Sequence, residues 1–263
     1  MSNPHLPPEI LDHIVDLLSD NPEALKNCSL ASKSWVSRTR KHLFAHINFR
    51  SAGELELWKK TFPDPSNSPA YYTLTLSVGC PQVITEADAE EGGWIRTFSH
   101  VARLSVKNRR MNLDGSKIPL VLFHGFSPAL KSIHLAFTSL PSSRISNLIR
   151  SFPLLEDLTL IGRDCSSGTN DDPQGPQTVA PPTSPPFTGL LDIFLKRGIQ
   201  HIARQLLSLP GGIHLRKLVL VWFHEEDPSW TTALVERCPH TLQSLNITYS
   251  LRGMSVRCLR PHR

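Results

Sequence analysis

Several residue types in this chain can do chemistry, but their spacing forms no active-site motif. The sequence has no glycine-rich phosphate loop, no Gly-x-Ser-x-Gly turn and no His-Glu-x-x-His zinc motif. The densest group of metal-type ligands is His224-Glu225-Glu226-Asp227, directly before a proline. Adjacent residues seldom converge on one ion, so we interpret this group as a solvated acidic turn. We therefore expect no enzyme activity, no cofactor and no metal site, and expect recognition of a partner instead.

Charge and composition argue against a nucleic-acid-binding protein. The 263 residues are 40% hydrophobic and 19% charged, as in a globular protein, and the formal net charge is +5. Four of these charges lie in the last twelve residues, at Arg252, Arg257, Arg260 and Arg263. Without them the remaining charge is +1, which leaves no basic footprint for DNA or RNA. Residues 251–263 are therefore predicted to be a disordered basic tail.

The cysteines indicate a reducing compartment. There are five, an odd number, at wide spacings and without a Cys-x-x-Cys pair. This pattern favours free thiols in the cytoplasm or nucleus over disulfides or zinc. No run of 18 apolar residues occurs, so no membrane span is expected, and the first twenty residues lack the basic cluster of a signal peptide.

The segment from Leu6 to Phe44 predicts three short helices. Pro7 and Pro8 give an extended entry, Asn21-Pro22-Glu23 is a strong helix start, and Ser32 or Ser34 can begin a third helix. Apolar residues recur at helical spacing in the first helix: Ile10, Leu11, Ile14, Val15, Leu17 and Leu18. A unit this small buries little of its own apolar surface, so part of that surface should face a partner. The alternative is an ordinary helical hairpin packed on its own domain.

A second pattern, apolar-x-x-apolar-x-apolar, recurs eight times after this segment. Its central residues are 25 to 35 positions apart, which is typical of a solenoid in which a strand and a helix alternate. The central and final residues of each copy are Ile47 and Phe49, Leu74 and Leu76, Leu104 and Val106, Ile133 and Leu135, Leu158 and Leu160, Ile193 and Leu195, Leu218 and Leu220, and Leu245 and Ile247. Helical patterns between them centre on Trp58, Leu148, Ile202 and Ala233. The alternative is an ordinary α/β domain.

The longest gap between copies contains residues 164–186. Pro, Gly, Ser, Thr and Asp dominate this segment and apolar residues are few, so it is predicted to be a disordered surface loop within the repeat region. Thr183-Ser184-Pro185 offers a site for proline-directed phosphorylation, although most such loops are spacers.

The N-terminal helical segment, residues 1–44, resembles the F-box family. The matching residues are Leu6, Pro7, Glu9, Ile10, Ile14, Leu17, Leu18, Leu25, Cys28, Leu30 and Trp35. The resemblance implies that these residues bind a Skp-type adaptor and, through it, a cullin. Residues 45–250 resemble irregular leucine-rich repeats, without the regular Asn or Cys after each strand. The combined fold expected is α/β: a three-helix F-box followed by a solenoid with about seven or eight short parallel strands, a layout common among fungal F-box-like proteins.

In a leucine-rich arrangement, the residues between the apolar strand positions line an exposed concave face. Those that we select as candidates for target binding are Arg103, His134, Asp157, Asp192, Phe194, Lys217, Trp222, Asn246 and Tyr249. The resemblance implies a substrate receptor of an SCF-type ubiquitin ligase, active as a monomer within a hetero-complex. Two alternatives remain open: an interaction scaffold without ubiquitin transfer, and a truncated, inactive paralogue. The sequence does not name the protein substrate.

Overall fold

The structure is a computed structural model that describes residues 7–79, 88, 93–107, 126, 129–166, 187–209, 211–222, 229–251 and 254–259. It is an α/β fold with one sheet of nine strands. Leu6 and most of the segment 164–186 lie outside the described residues.

Three helices precede the sheet: α1 (Pro8–Leu17), α2 (Pro22–Ala31) and α3 (Lys33–Leu43). The caps predicted from the sequence are present at two of them. The Asn21 side chain accepts a hydrogen bond from the backbone N–H of Ala24 (3.1 Å), and the Ser32 hydroxyl accepts one from Ser34 (3.3 Å). Both bonds satisfy amide groups that the first turn of a helix leaves free, so local sequence fixes where α2 and α3 begin.

The sheet is built in strict chain order. Its strands are β1 (His46–Phe49), β2 (Thr75–Val78), β3 (Arg103–Lys107), β4 (Ser132–Pro141), β5 (Asp157–Ser166), β6 (Phe187–Arg197), β7 (Ile213–Trp222), β8 (Ser244–Leu251) and β9 (Met254–Leu259). Each strand pairs with the one before it, and β1 to β8 are all parallel. A doubly wound sheet reverses its strand order at a switch point, whereas this sheet does not, so the topology is compatible with an α/β solenoid.

Helices or 3₁₀ turns lie between the strands. The helices are α4 (Ala52–Thr61), α5 (Ser142–Ser151), α6 (Ile199–Leu207) and α7 (Ser229–Glu236), and the 3₁₀ turns are Pro65–Asn67, Pro69–Tyr72 and Trp94–Thr97. All four helices occur where the sequence pattern predicts them. Alternate strand residues and one face of each helix share a single apolar core, so each unit depends on its neighbours for burial.

The buried row of the sheet follows the repeated pattern closely, with shifts in β2 and β6. Leu76 pairs with Ile47 on β1 and with Leu104 on β3, so Leu76, and not the predicted Leu74, is the central residue of β2. Leu158 pairs with Leu191 and Leu160 with Ile193, so Leu191, and not the predicted Ile193, is the central residue of β6. An irregularity in the β6–β7 register between Gly189 and Leu190 accompanies the difference. The sequence prediction used Leu190, Ile193 and Leu195 and was therefore two residues out of register in this copy.

Two predicted boundaries also differ from the structure. The loop was predicted to begin at Asp164, but β5 continues to Ser166 and pairs with β6 and β4 up to that region. The predicted tail contains β9, which pairs antiparallel with β8 from Asn246↔Leu259 to Leu251↔Met254. Backbone hydrogen bonding to an adjacent strand therefore orders part of a segment that composition alone marked as disordered.

Candidate functional site

The helical unit α1–α3 exposes an apolar surface. On α1 the side chains of Ile10, Ile14 and Leu17 are 47%, 38% and 72% exposed, and on α2 Leu30 is 85% exposed. Only eight large apolar side chains are exposed among the residues that the structure describes, and these four lie within two short helices. We call Ile10, Ile14, Leu17 and Leu30 the apolar face. Such a concentration of exposed apolar side chains is typical of a surface that binds another protein.

Helix α1 also has a buried side. Val15 is fully buried, and Leu11 and Leu18 are half-buried beside it at positions i−4 and i+3. At 100° per residue, Ile10, Ile14 and Leu17 form an adjacent stripe on α1 rather than part of the buried one. The helix is therefore apolar over two neighbouring sides, one for its own core and one facing outward.

An ion-pair network fixes α1 against α3. The Arg38 guanidinium donates two hydrogen bonds to the carboxylate of Asp16, one from Nε to Oδ1 at 2.7 Å and one from Nη2 to Oδ2. The Nε2 atom of His42 lies 2.7 Å from the same Oδ1, and Asp12 lies 3.9 Å from Arg38. The hydrogen bonds from Arg38 and then from His42 hold the pKa of Asp16 well below its ordinary value of 3.8. The network holds α1 against α3 and so fixes the direction in which Ile10, Ile14 and Leu17 face.

We expect the stabilising effect of Asp16 to depend on pH. Because its pKa is lower in the folded chain, its contribution is complete above the unfolded value and is lost as the pH falls below about 4. Urea unfolding of the wild-type chain and of Asp16→Asn, followed between pH 3 and pH 7, measures this. The wild type should have the higher midpoint at neutral pH, and the difference should shrink below pH 4.

The matched control is Asp12→Asn, because Asp12 is farther from Arg38 and half-exposed. It should change the urea midpoint little at any pH. A difference between wild type and Asp16→Asn that stays constant from pH 7 to pH 3 would show that the carboxylate does not stabilise the unit through its charge.

The other predicted adaptor-binding residues divide by burial. Pro7 and Glu9 are exposed, while Leu18, Cys28 and Trp35 are half-buried. Leu25 is 1% exposed and belongs to the interior of the helical unit, so the prediction that it contacts a partner is wrong. The sequence pattern could not separate its role from that of Leu30, because both are apolar residues of the same short helix.

The second candidate site is the face of the sheet opposite the apolar core. Strand pairing places Ser105, His134, Thr159, Asp192, Val219 and Asn246 side by side in one row. A neighbouring row, two residues earlier, contains Arg103, Ser132, Asp157, Leu190, Lys217 and Ser244. Six of the nine predicted target-binding residues lie in these two rows, and Phe194 lies two residues after Asp192 on the same face. Seven of the nine therefore occupy alternating positions on one face of the sheet.

Two predicted target-binding residues, Trp222 and Tyr249, have strand positions outside these rows. Trp222 pairs with Tyr249, and along β7 Trp222 is at the same parity as the buried Leu218 and Leu220. The two positions are therefore register partners outside the rows described above, and their role in target binding stays a prediction.

The charged side chains on this face influence one another. Burial lowers the pKa of His134, Lys107 lowers it further, and Asp192 acts in the opposite direction. Burial likewise raises the pKa of Asp192, and Asp157 adds to the increase, whereas Lys217 and His134 oppose it. Basic, acidic and imidazole groups from β3 to β7 thus lie close enough to be coupled electrostatically.

Sequence reasoning missed an apolar row on the same face. Ala136, Ile161, Phe194 and Val221 are register partners on four consecutive strands, and of these only Phe194 was selected from the sequence. Ala136 is buried and the other three are half-buried. Ala136, Ile161 and Val221 each lie one residue beyond the six-residue pattern, where strands predicted to be short continue further. The β-branched residues Ile161 and Val221 directly after the pattern were the available signal.

Within the part of the chain that the structure describes, no group of three or more His, Cys, Asp or Glu could hold a metal ion. Neither Cys28 nor Cys238 forms a disulfide. None of the described helices is long and apolar enough to cross a membrane.

Comparison with known proteins gives no relative for this chain. No protein-family model matches it, and neither the curated proteins nor the solved structures include a significant match. The arguments for function therefore rest on the two surfaces described above.

Proposed function

We propose that this chain is a substrate-recognition subunit of an SCF-type cullin–RING ubiquitin ligase and is not itself an enzyme. Helices α1–α3 would be an irregular F-box that binds a Skp-type adaptor, and the sheet would be an irregular leucine-rich-repeat domain that binds a target protein. Ubiquitin transfer would be carried out by other subunits, so this chain supplies proximity and orientation.

The observation that supports the proposal most strongly is the apolar face. A helical unit that needed only to pack on its own domain would expose few large apolar side chains, whereas this one exposes Ile10, Ile14, Leu17 and Leu30. Their positions coincide with residues on which the resemblance to the F-box family depends. The sheet supports the second half of the proposal, since its strictly sequential parallel order is compatible with a repeat domain.

Replacing Ile10 and Leu17 together with Asp should abolish adaptor binding. Two charges placed in an apolar interface would lose hydrophobic contact and would also be buried without partners on complex formation. Pull-down of a purified Skp-type adaptor by the full-length chain measures this. We expect a reduction of at least about a hundredfold in affinity, because truncating interface hot spots costs 2 kcal/mol or more each.

A matched control is Leu57→Asp on α4, which replaces an exposed apolar residue outside the apolar face. This variant should bind the adaptor as the wild type does. Both variants alter only exposed side chains, so their circular dichroism spectra and melting temperatures should match the wild type. Full adaptor binding by the folded double variant would contradict the assignment of α1 as the docking helix.

Adaptor binding alone does not distinguish a substrate receptor from an interaction scaffold, whereas co-purification with a cullin does. A receptor should recover the adaptor and the cullin together, and both should be lost in the Ile10 and Leu17 double variant. Recovery of the adaptor without the cullin would favour the interaction scaffold. A folded chain that recovers neither would favour the inactive paralogue.

A further inference from the structure

The exposed face of the sheet contains a continuous apolar strip beside one carboxylate. The strip consists of Ala136, Ile161, Phe194 and Val221, which are register partners on β4, β5, β6 and β7. Neighbouring strands are about 4.8 Å apart, so the strip is about 14 Å long. That length suits one or two apolar side chains of a bound segment.

Asp192 lies two residues before Phe194 on β6, which places its row about 6.6 Å from the strip. Its register partner on β7 is Val219, which is 7% exposed, and its partner on β5 is Thr159. The Oδ1 atom of Asp192 is buried and receives no hydrogen bond from any residue that the structure describes. A buried carboxylate oxygen without a donor is costly, and a donor from outside the chain would remove that cost.

The other charged groups that face Asp192 come from three neighbouring strands. They are His134 on β4, Asp157 on β5 and Lys217 on β7. Lys217 is the one permanent cation among them, yet no ion pair within 4.0 Å joins it to Asp192 in the described part of the chain. Asp157 adds a second negative charge two residues earlier in register, so the centre of the face favours an incoming cation.

We propose that the sheet binds an extended segment of a target protein in which an apolar side chain is followed two residues later by Arg or Lys. The apolar side chain would lie on the strip, and the basic group would donate hydrogen bonds to Asp192. Residues i and i+2 of an extended chain are about 6.6 Å apart on the same side, which matches the separation of the strip and the Asp192 row. The inference rests on the proposed function, because it names the chemistry of the target for the face to which that proposal assigns target binding.

Synthetic peptide arrays test this with the purified full-length chain. The probes are twelve-residue Gly/Ser peptides with Ile-Ser-Arg at the centre, and matched peptides with Ile-Ser-citrulline, Ile-Ser-Glu or Ser-Ser-Arg. We expect the Ile-Ser-Arg peptide to bind at least about tenfold better than the citrulline and Glu peptides, because a charge-assisted hydrogen bond to a carboxylate is lost in both. The preference for Arg should weaken as salt concentration rises.

Variants of the chain test whether the peptide preference arises at Asp192 and the apolar strip. Asp192→Asn, which keeps the shape of the side chain, should remove the discrimination between Arg and citrulline, while Phe194→Ser should remove that between Ile and Ser. The matched control is Asp20→Asn, because Asp20 is exposed between α1 and α2, away from the sheet. Asp20→Asn should leave both preferences unchanged.

Equal binding of the Arg and citrulline peptides by the wild-type chain would overturn the inference, and so would binding of none of the peptides. A preference that persists in Asp192→Asn would overturn it as well. Because citrulline changes the peptide and not the protein, this comparison holds even if a variant fails to fold. Adaptor pull-down is a separate readout that Asp192→Asn should not change. If the wild-type chain binds the adaptor but shows no preference on the array, only this inference is contradicted. If it shows the preference but does not bind the adaptor, the docking role of α1 is contradicted.

Discussion

Gly198→Ala is expected to unfold the C-terminal half of the sheet or to prevent the chain from folding. Gly198 precedes α6 and has φ of 85°, in the left-handed region. A Cβ at this position would overlap the carbonyl oxygen of Cys165 on the neighbouring strand, and backbone atoms cannot move aside as a side chain can. The sum of left-handed strain and a backbone clash should exceed about 4 kcal/mol. Urea unfolding and the yield of soluble protein measure the effect.

Gly212→Ala is the matched control, because it separates the strain from the clash. Gly212 also has a positive φ, at 72°, but an added Cβ would meet no atom within 4 Å. This variant should lose only about 1–2 kcal/mol, the cost of the left-handed conformation for a residue with a Cβ. Equal losses for the two variants would show that β5 and the entry to α6 are not in the close contact described.

Phe98→Ala should be nearly as damaging. Phe98 is fully buried, and its ring contacts Phe49 on β1, Trp58 on α4 and Trp94 in the 3₁₀ turn before it, with centroids 5.6–6.3 Å apart. These rings connect the first strand–helix unit to the second. Truncation would leave a large cavity among rigid neighbours, and a loss of about 3–5 kcal/mol in the free energy of unfolding is expected.

Tyr71→Ala provides the comparison, since Tyr71 is an aromatic residue that is 57% exposed. It should change the free energy of unfolding by less than about 1 kcal/mol, as surface substitutions usually do. Thermal or urea unfolding of both variants distinguishes a packed cluster from a loose one. A loss at Phe98 no larger than that at Tyr71 would mean that the aromatic cluster does not join the two units.

Local signals explain why much of the fold was predictable. The helix starts at Asn21 and Ser32 depend on side chains that cap their own helix, so they need no knowledge of the tertiary structure. Six of the eight parallel strands follow the recurring pattern as predicted, because each repeat buries the same alternate positions. Such features are determined within about thirty residues.

The features that were missed depend on pairing between strands. The shift in β6 accompanies an irregularity at Gly189 and Leu190, and a pattern of apolar residues does not reveal an extra residue. The antiparallel strand β9 is held by its register with β8. In the sequence, Met254, Val256 and Cys258 alternate with polar residues as in a strand, but the prediction was based on the arginines and on the position at the end of the chain.

The candidate sites were predictable to different degrees. Helical spacing identified Ile10, Ile14 and Leu17 as an apolar stripe, and the resemblance to the F-box family supplied a reason for it to be exposed. Neither the spacing nor the resemblance could predict that Leu25 is buried while Leu30 is exposed, because their burial depends on how α2 packs against α3. On the sheet, Asp192 was selected as one charged residue among several. Its unpaired oxygen and the adjacent strip became evident only once the register was known.

Hydrogen exchange of the full-length chain, measured with and without a purified Skp-type adaptor, tests the central claim most directly. Binding through the apolar face should slow exchange of backbone amides in α1 and α2, at residues 8–31, and should leave the central strands of the sheet unchanged. The same measurement on the Ile10 and Leu17 double variant should show no change on addition of the adaptor. Slower exchange confined to the sheet, or none at any adaptor concentration, would contradict the proposal that this chain docks through its N-terminal helices.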